Sequence, residues 1–206
     1  MRSRPLPSRI SGALAILLVL AGCASSPPSR FYTLPPLSLQ GEKPAAAAHP
    51  VSVSIAPVEI PDYLDHPQIV TRDGPNKLKL AEFDRWAGSL SDNMAAVLAE
   101  NLGLLLGSDE VFTAPRLRSE RADFSVAMRV LRLDCVPGEQ VLFRAQWTLS
   151  GGMERKDVVT RVMTFTRRLG DKSFDTMVAA VGQILEQASR EIAREIPAKP
   201  KGDAAR

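Results

Sequence analysis

The chain has 206 residues, 26 lysines and arginines, 23 aspartates and glutamates, and a formal charge of +3. Arg2, Arg4 and Arg9 account for that whole excess, so the 184 residues after position 22 are formally neutral, with 23 basic and 23 acidic side chains. No nucleic-acid partner is expected, because phosphate recognition needs a clustered basic face. The length suits one domain, and 45% apolar residues is ordinary for a packed core.

The first element is a leader. Three arginines precede the apolar run Ile10 to Ala21, which is too short to span a bilayer comfortably as a helix. A positive flank, a short apolar core and small residues at a cut site make a secretory signal peptide. This one ends Leu20-Ala21-Gly22-Cys23, a pattern that looks like a bacterial lipobox. In such signals the chain is cut before the cysteine, and the thiol carries lipid such as palmitate. Residues 1–22 are thus read as signal peptide and Cys23 as the lipidation site. A short anchor with an incidental cysteine is the bland alternative. One acyl chain holds a protein only marginally and several hold it stably. The covalent lipid is the only non-protein group expected; no cofactor is foreseen.

Residues 23–50 read as a tether. Pro27, Pro28, Pro35, Pro36, Pro44 and Pro50 break regular structure, and Ala45 to Ala48 add no core pattern. Within it, Arg30-Phe31-Tyr32-Thr33-Leu34 holds three large apolar side chains, which predicts a short strand paired with the domain.

The domain is placed at 51–196. Val51, Val53 and Ile55 alternate with small residues, a period-two strand. Gln68 to Arg72 and Lys77 to Glu82 flank Asp73-Gly74-Pro75 and predict a hairpin. A helix follows: Leu90, Met94, Val97, Leu98, Leu102 and Leu105 share a face, with Ser89 and Asp92 at its start and Gly107 at its end. Asp123 to Cys135 predicts a long strand with a phase change, from Phe124, Val126, Met128 and Val130 to Leu131, Leu133 and Cys135. A bulge, or burial of both faces, would explain that. Val141 to Leu149 alternates cleanly, and Asp157 to Arg167 predicts a third strand. The last helix runs from about Ser173 to Ile196, its apolar face including Met177, Val181, Leu185 and Ile192, with Glu186 and Arg190 paired on the outside. Residues 197–206 are expected to be a disordered tail. The expected fold is α+β: a two-layer sandwich of a mainly antiparallel sheet with two amphipathic helices on one face.

Residues suited to catalysis are sparse. There is no Gly-x-Ser-x-Gly elbow, no Walker or dinucleotide glycine pattern, and no Cys/His set with metal spacing. His49 lies in the tether, and His66 has no evident nucleophile to serve. Asp171 and Asp175 sit at a helix start, where the dipole accounts for them. Cys135 is the only cysteine after Cys23, so an internal bridge is excluded and a buried apolar role is expected. Arg116, Arg118 and Arg121, and Arg167-Arg168, are charge clusters: a solvated face by default, or contacts with anionic headgroups. The most unusual stretch is Ile60 to Arg72, with two prolines and an aromatic between strands. It reads as a rigid cap on the core or as a partner surface.

With these residues in view the chain resembles the ABC-type transport auxiliary lipoprotein family, in particular its PqiC-like (YmbA-like) branch. The likeness rests on Leu20 to Cys23, Arg30 to Leu34, Ile60 to Arg72, Phe83-Asp84-Arg85-Trp86 and Leu98-Ala99-Glu100-Asn101-Leu102, in that order along the chain. His66 departs from the family pattern, which usually has a basic residue, often Arg, there. The resemblance implies a non-enzymatic envelope lipoprotein that docks a periplasm-spanning MCE-domain protein, with its inner-membrane partner, or completes its conduit, in intermembrane transport of phospholipid or other hydrophobic molecules. It implies Pro61, Asp62, Tyr63, Leu64, Asp65, His66, Pro67, Gln68 and Trp86 as partner-binding residues. Trp86 is equally readable as a core anchor. Ring-like self-association would suit the task. Ala24 after Cys23 favours the outer membrane, facing the periplasm. The other class of function is a lipid carrier or envelope-stress lipoprotein, which needs its own apolar pocket.

Overall fold

The computed structural model describes residues 27–38, 51–115, 122–151 and 156–197. Cys23 and the leader, residues 39–50 with His49, the Arg116 to Arg121 cluster and the tail beyond Pro197 lie outside the described residues. The elements are β1 (Arg30–Tyr32), β2 (Val53–Ile55), β3 (Gln68–Arg72), β4 (Leu78–Trp86), α1 (Leu90–Leu106), β5 (Val111–Thr113), β6 (Phe124–Val136), β7 (Gln140–Gly151), β8 (Lys156–Arg168) and α2 (Phe174–Glu195). A single 3-10 turn, Asp62–Leu64, joins β2 to β3.

The α+β class holds, but the strands form two mixed sheets. One has the order β5-β2-β6-β7-β8, the other β1-β4-β3. The tight turns give antiparallel pairs: β3 with β4, β6 with β7, β7 with β8. The other pairs are parallel: β2 lies between β5 and β6, and β1 lies along β4. Parallel neighbours need long connections, and the hairpin and α1 supply one between β2 and β5.

Both helices cover one face of the large sheet, α1 over β5 and β2, α2 over β7 and β8. Between the layers lie Met94, Leu98, Leu102, Val126, Phe143, Trp147, Leu149, Ile184, Leu185 and Ile192, all essentially out of solvent. The phase change in β6 is a bulge. Val130 pairs with Ala145 and Arg132 with Arg144, so Leu131 is the extra residue. It turns outward while Leu133 and Cys135 join Val126, Met128 and Val130 in the core. Cys135 is buried, and burial first, then the neighbouring Asp134, pushes its thiol up to about 12.

Helix ends follow the sequence. Ser173 Oγ accepts from Thr176 N at 3.2 Å, and Ser89 Oγ from Asp92 N at 3.4 Å. Gly107 adopts φ 59°, the left-handed turn that closes α1 without a Cβ clash. Asp171 accepts from Ser173 N and the Thr176 hydroxyl; the Ser173 side chain first, then these two bonds, hold its carboxyl below the usual value. Glu186 and Arg190 pair at 3.0 Å as spaced.

Candidate functional site: the small sheet and its arm

β1 is a strand as expected, and its chemistry explains why residues 30–38 do not trail free. The Arg30 guanidinium grips Asp84 with two contacts of 2.7 and 2.9 Å, and the Tyr32 hydroxyl donates to the same carboxylate at 2.8 Å. Asp84 is 4% exposed, and a buried carboxylate needs such partners. Burial, then the bond to Asp84, pushes the Tyr32 phenol up to about 12. The Ala87 N–H donates to the Tyr32 carbonyl at 2.8 Å, extending the pairing.

Beyond β1 the arm crosses onto the helices. Leu34 and Leu37 are buried. Leu37 N donates to Asn101 Oδ1 at 2.6 Å, and Asn101 Nδ2 donates to Ser189 Oγ at 3.2 Å. Asn101, wholly buried on α1, thus ties the arm to both helices. Pro35 lies on Gly182 of α2, where a Cβ would come within 2.5 Å of the proline Cγ.

A second buried carboxylate joins the two sheets. Asp134 on β6 accepts from Arg72 Nη2 of β3 at 2.7 Å and is also gripped by Arg132.

The nine partner-binding candidates divide by exposure. Trp86 and Leu64 are buried in the core, and Tyr63 is half-buried, its hydroxyl accepting from Leu133 N at 3.3 Å. Pro61 and Gln68 are half-buried, whereas Asp62, Asp65, His66 and Pro67 are exposed. Backbone hydrogen bonds make the loop rigid. Leu64 N bonds the Pro61 carbonyl at 2.9 Å, His66 N the Leu64 carbonyl at 2.9 Å, and Trp86 N the Pro67 carbonyl at 2.8 Å. That last bond seats the loop on the end of β4.

Two residues the sequence did not single out as site residues are exposed Phe31 and half-buried Arg85. Phe31 pairs with Arg85, and Arg85 with Gln68, so the three form one row across the small sheet. Paired residues share a face. Phe31 is 65% exposed, the most exposed large apolar side chain among the described residues. Its only advance signal was alternation: with Arg30 and Tyr32 turned to Asp84, Phe31 must turn away. Asn101 left a clearer sign, a polar residue at apolar spacing in a helix.

Open grooves among the described residues have volumes of about 430, 410 and 270 Å3. They lie between α1 and β5, beside Pro57 and Arg129, and between the helix C-termini. Among the described residues no three His, Cys, Asp or Glu are placed to hold a metal ion, and no helix is long and apolar enough to cross a membrane.

The family model for the ABC-type transport auxiliary lipoprotein component matches residues 32–193. The chain belongs to that family. The match runs from the end of β1 to α2, so the arm is part of the family's domain. Two solved structures share the fold. An uncharacterized protein has 22% identity and a TM-score of 0.67, covering 83% of this chain and 100% of its own. A protein from Xanthomonas campestris has 18% identity and a TM-score of 0.64, covering 80% and 93%. Comparison with curated proteins gave no match. This family member is therefore a lipoprotein component of a transport system.

Proposed function

We propose that this auxiliary lipoprotein is a non-enzymatic docking component of an MCE-type phospholipid transport system. It is held at the outer membrane by lipid on Cys23, faces the periplasm, and receives the periplasm-spanning MCE-domain protein coupled to its inner-membrane partner. The observation that carries the docking role is the contrast between interior and surface. Buried side chains lie between sheet and helices, and the grooves among the described residues are open to solvent, whereas a carrier needs a cavity that encloses its ligand. The surface instead presents the rigid loop of Asp62, Asp65, His66 and Pro67, with half-buried Gln68 at its end. A fixed, mostly polar loop of this kind suits recognition by a protein surface.

The test is co-purification of the MCE-domain protein from detergent-solubilised envelopes. Wild type is expected to retain it, and Asp65→Lys combined with His66→Glu, both exposed, to lose it. Retention by the double variant removes the loop from the site. Absence of the MCE protein from the wild-type sample removes the partner. Separately, Cys23→Ala is expected to accumulate as an unprocessed, unlipidated precursor. Co-purification of a phospholipid with the soluble domain would favour the carrier reading.

A further inference from the structure

Resting on the lipid anchor at Cys23, we infer that the β1 end of the domain sits on the bilayer, with Phe31 in its interfacial layer. Cys23 and Arg30 are seven residues apart, a reach of about 25 Å when fully extended. Arg30 is already fixed by Asp84 and by pairing along β4. The arm that follows is fixed by Asn101 and Gly182. Residues 39–50 therefore add nothing to the reach, because they follow the point of attachment. A domain of this size is about 40 Å across, more than the spacer can span, so the β1 end must face the membrane.

What lies at that end suits a lipid surface. Tyr32 meets Phe174, the first residue of α2, with ring centroids 6.3 Å apart. The β6–β7 turn approaches there too, since Gly138 lies against Lys172. Exposed Arg168 and Lys172 are mixed with exposed Glu139, Asp171 and Asp175, so no one-sided charge repels headgroups. Phe31 is the exposed aromatic on the strand nearest the anchor. Aromatic side chains favour the membrane interface. The occupant of Phe31 is accordingly lipid, and the neighbouring loop of Asp62 to Pro67 is presented close to the membrane surface.

Quenching of tryptophan by brominated phospholipid tests this in the full lipidated protein, reconstituted in phosphatidylethanolamine and phosphatidylglycerol vesicles. Phe31→Trp probes the contact. Val158→Trp, also exposed, lies ten residues along β8 from Arg168, about 33 Å away. Trp86 and Trp147 are buried and give a common background. The added signal at position 31 is expected to fall about twofold or more in brominated vesicles, as for interfacial aromatics, and that at 158 to stay constant. Equal quenching at both sites, or none at 31, overturns the inference. Mass spectrometry of the same sample separates the two readings. An acylated Cys23 with an unquenched Trp at 31 defeats the contact alone, and a Cys23 without acyl mass defeats both.

Discussion

Replacing Asn101 by alanine should release the N-terminal arm from the helices. The side chain makes two buried hydrogen bonds, accepting from Leu37 N at 2.6 Å and donating to Ser189 Oγ at 3.2 Å. Each contributes roughly 0.5–1.5 kcal/mol net, and leaving the Leu37 amide buried without an acceptor costs about 1–3 kcal/mol more. Ser189 keeps its bond to the Leu185 carbonyl at 2.8 Å, so its hydroxyl is not orphaned. The sum is a loss of about 2–6 kcal/mol, which lowers the melting temperature by about 4–24 °C at this chain length. Ser189→Ala removes only one of the two bonds and should cost about 1 kcal/mol. Urea unfolding at unchanged m-value measures the loss, and hydrogen exchange at the Leu37 amide locates it. A change below about 0.5 kcal/mol with Leu37 still protected would refute the reasoning.

Two further perturbations address the same region. Gly182→Ala sets the better helix former, favoured by about 1 kcal/mol, against a Cβ placed 2.5 Å from Pro35 Cγ and 3.0 Å from its carbonyl oxygen; the clash should win, with faster proteolysis between residues 30 and 38, and a rise in melting temperature would show that Pro35 is not wedged there. Tyr32, raised from 10.0 to about 12 in the fold, contributes stability that is fully present below pH 10 and lost as pH rises from 10 to 12. Tyr32→Phe should cost about 1 kcal/mol at neutral pH through the lost bond to Asp84, and its deficit against wild type should shrink toward pH 12. Thermal melts of both proteins across that range are the check; a constant deficit would contradict the shift.

Most of the architecture was legible because it is encoded locally. Ser89, Gly107 and Ser173 marked helix ends through their own hydrogen bonds and backbone angles. The slip from even to odd apolar positions in β6 announced the bulge at Leu131. The parallel pairings were not legible, since nothing in the spacing of Val53 to Ile55 says that it lies between β5 and β6. The candidate surface was only half readable for a related reason. Tyr63, Leu64 and Trp86 turn into the fold while Asp65 and His66 turn out, and a three-residue 3-10 turn, too short to show a period, decides which does which. Phe31 faces outward because Asp84, far along the chain, draws Arg30 and Tyr32 to the other side.

The arm also has a mechanical meaning. With lipid on Cys23, any tug between the membrane and whatever grips the domain enters the protein at Arg30 and runs along β1. The three residues of β1 lie parallel to β4, with Arg30 clamped on Asp84. Tension that slips this strand next meets the proline ring lodged on Gly182 and the amide held by Asn101. The load is shared by successive catches before it reaches the main core, so a pull should strip the leash in stages and leave the sheet and helices folded beneath it.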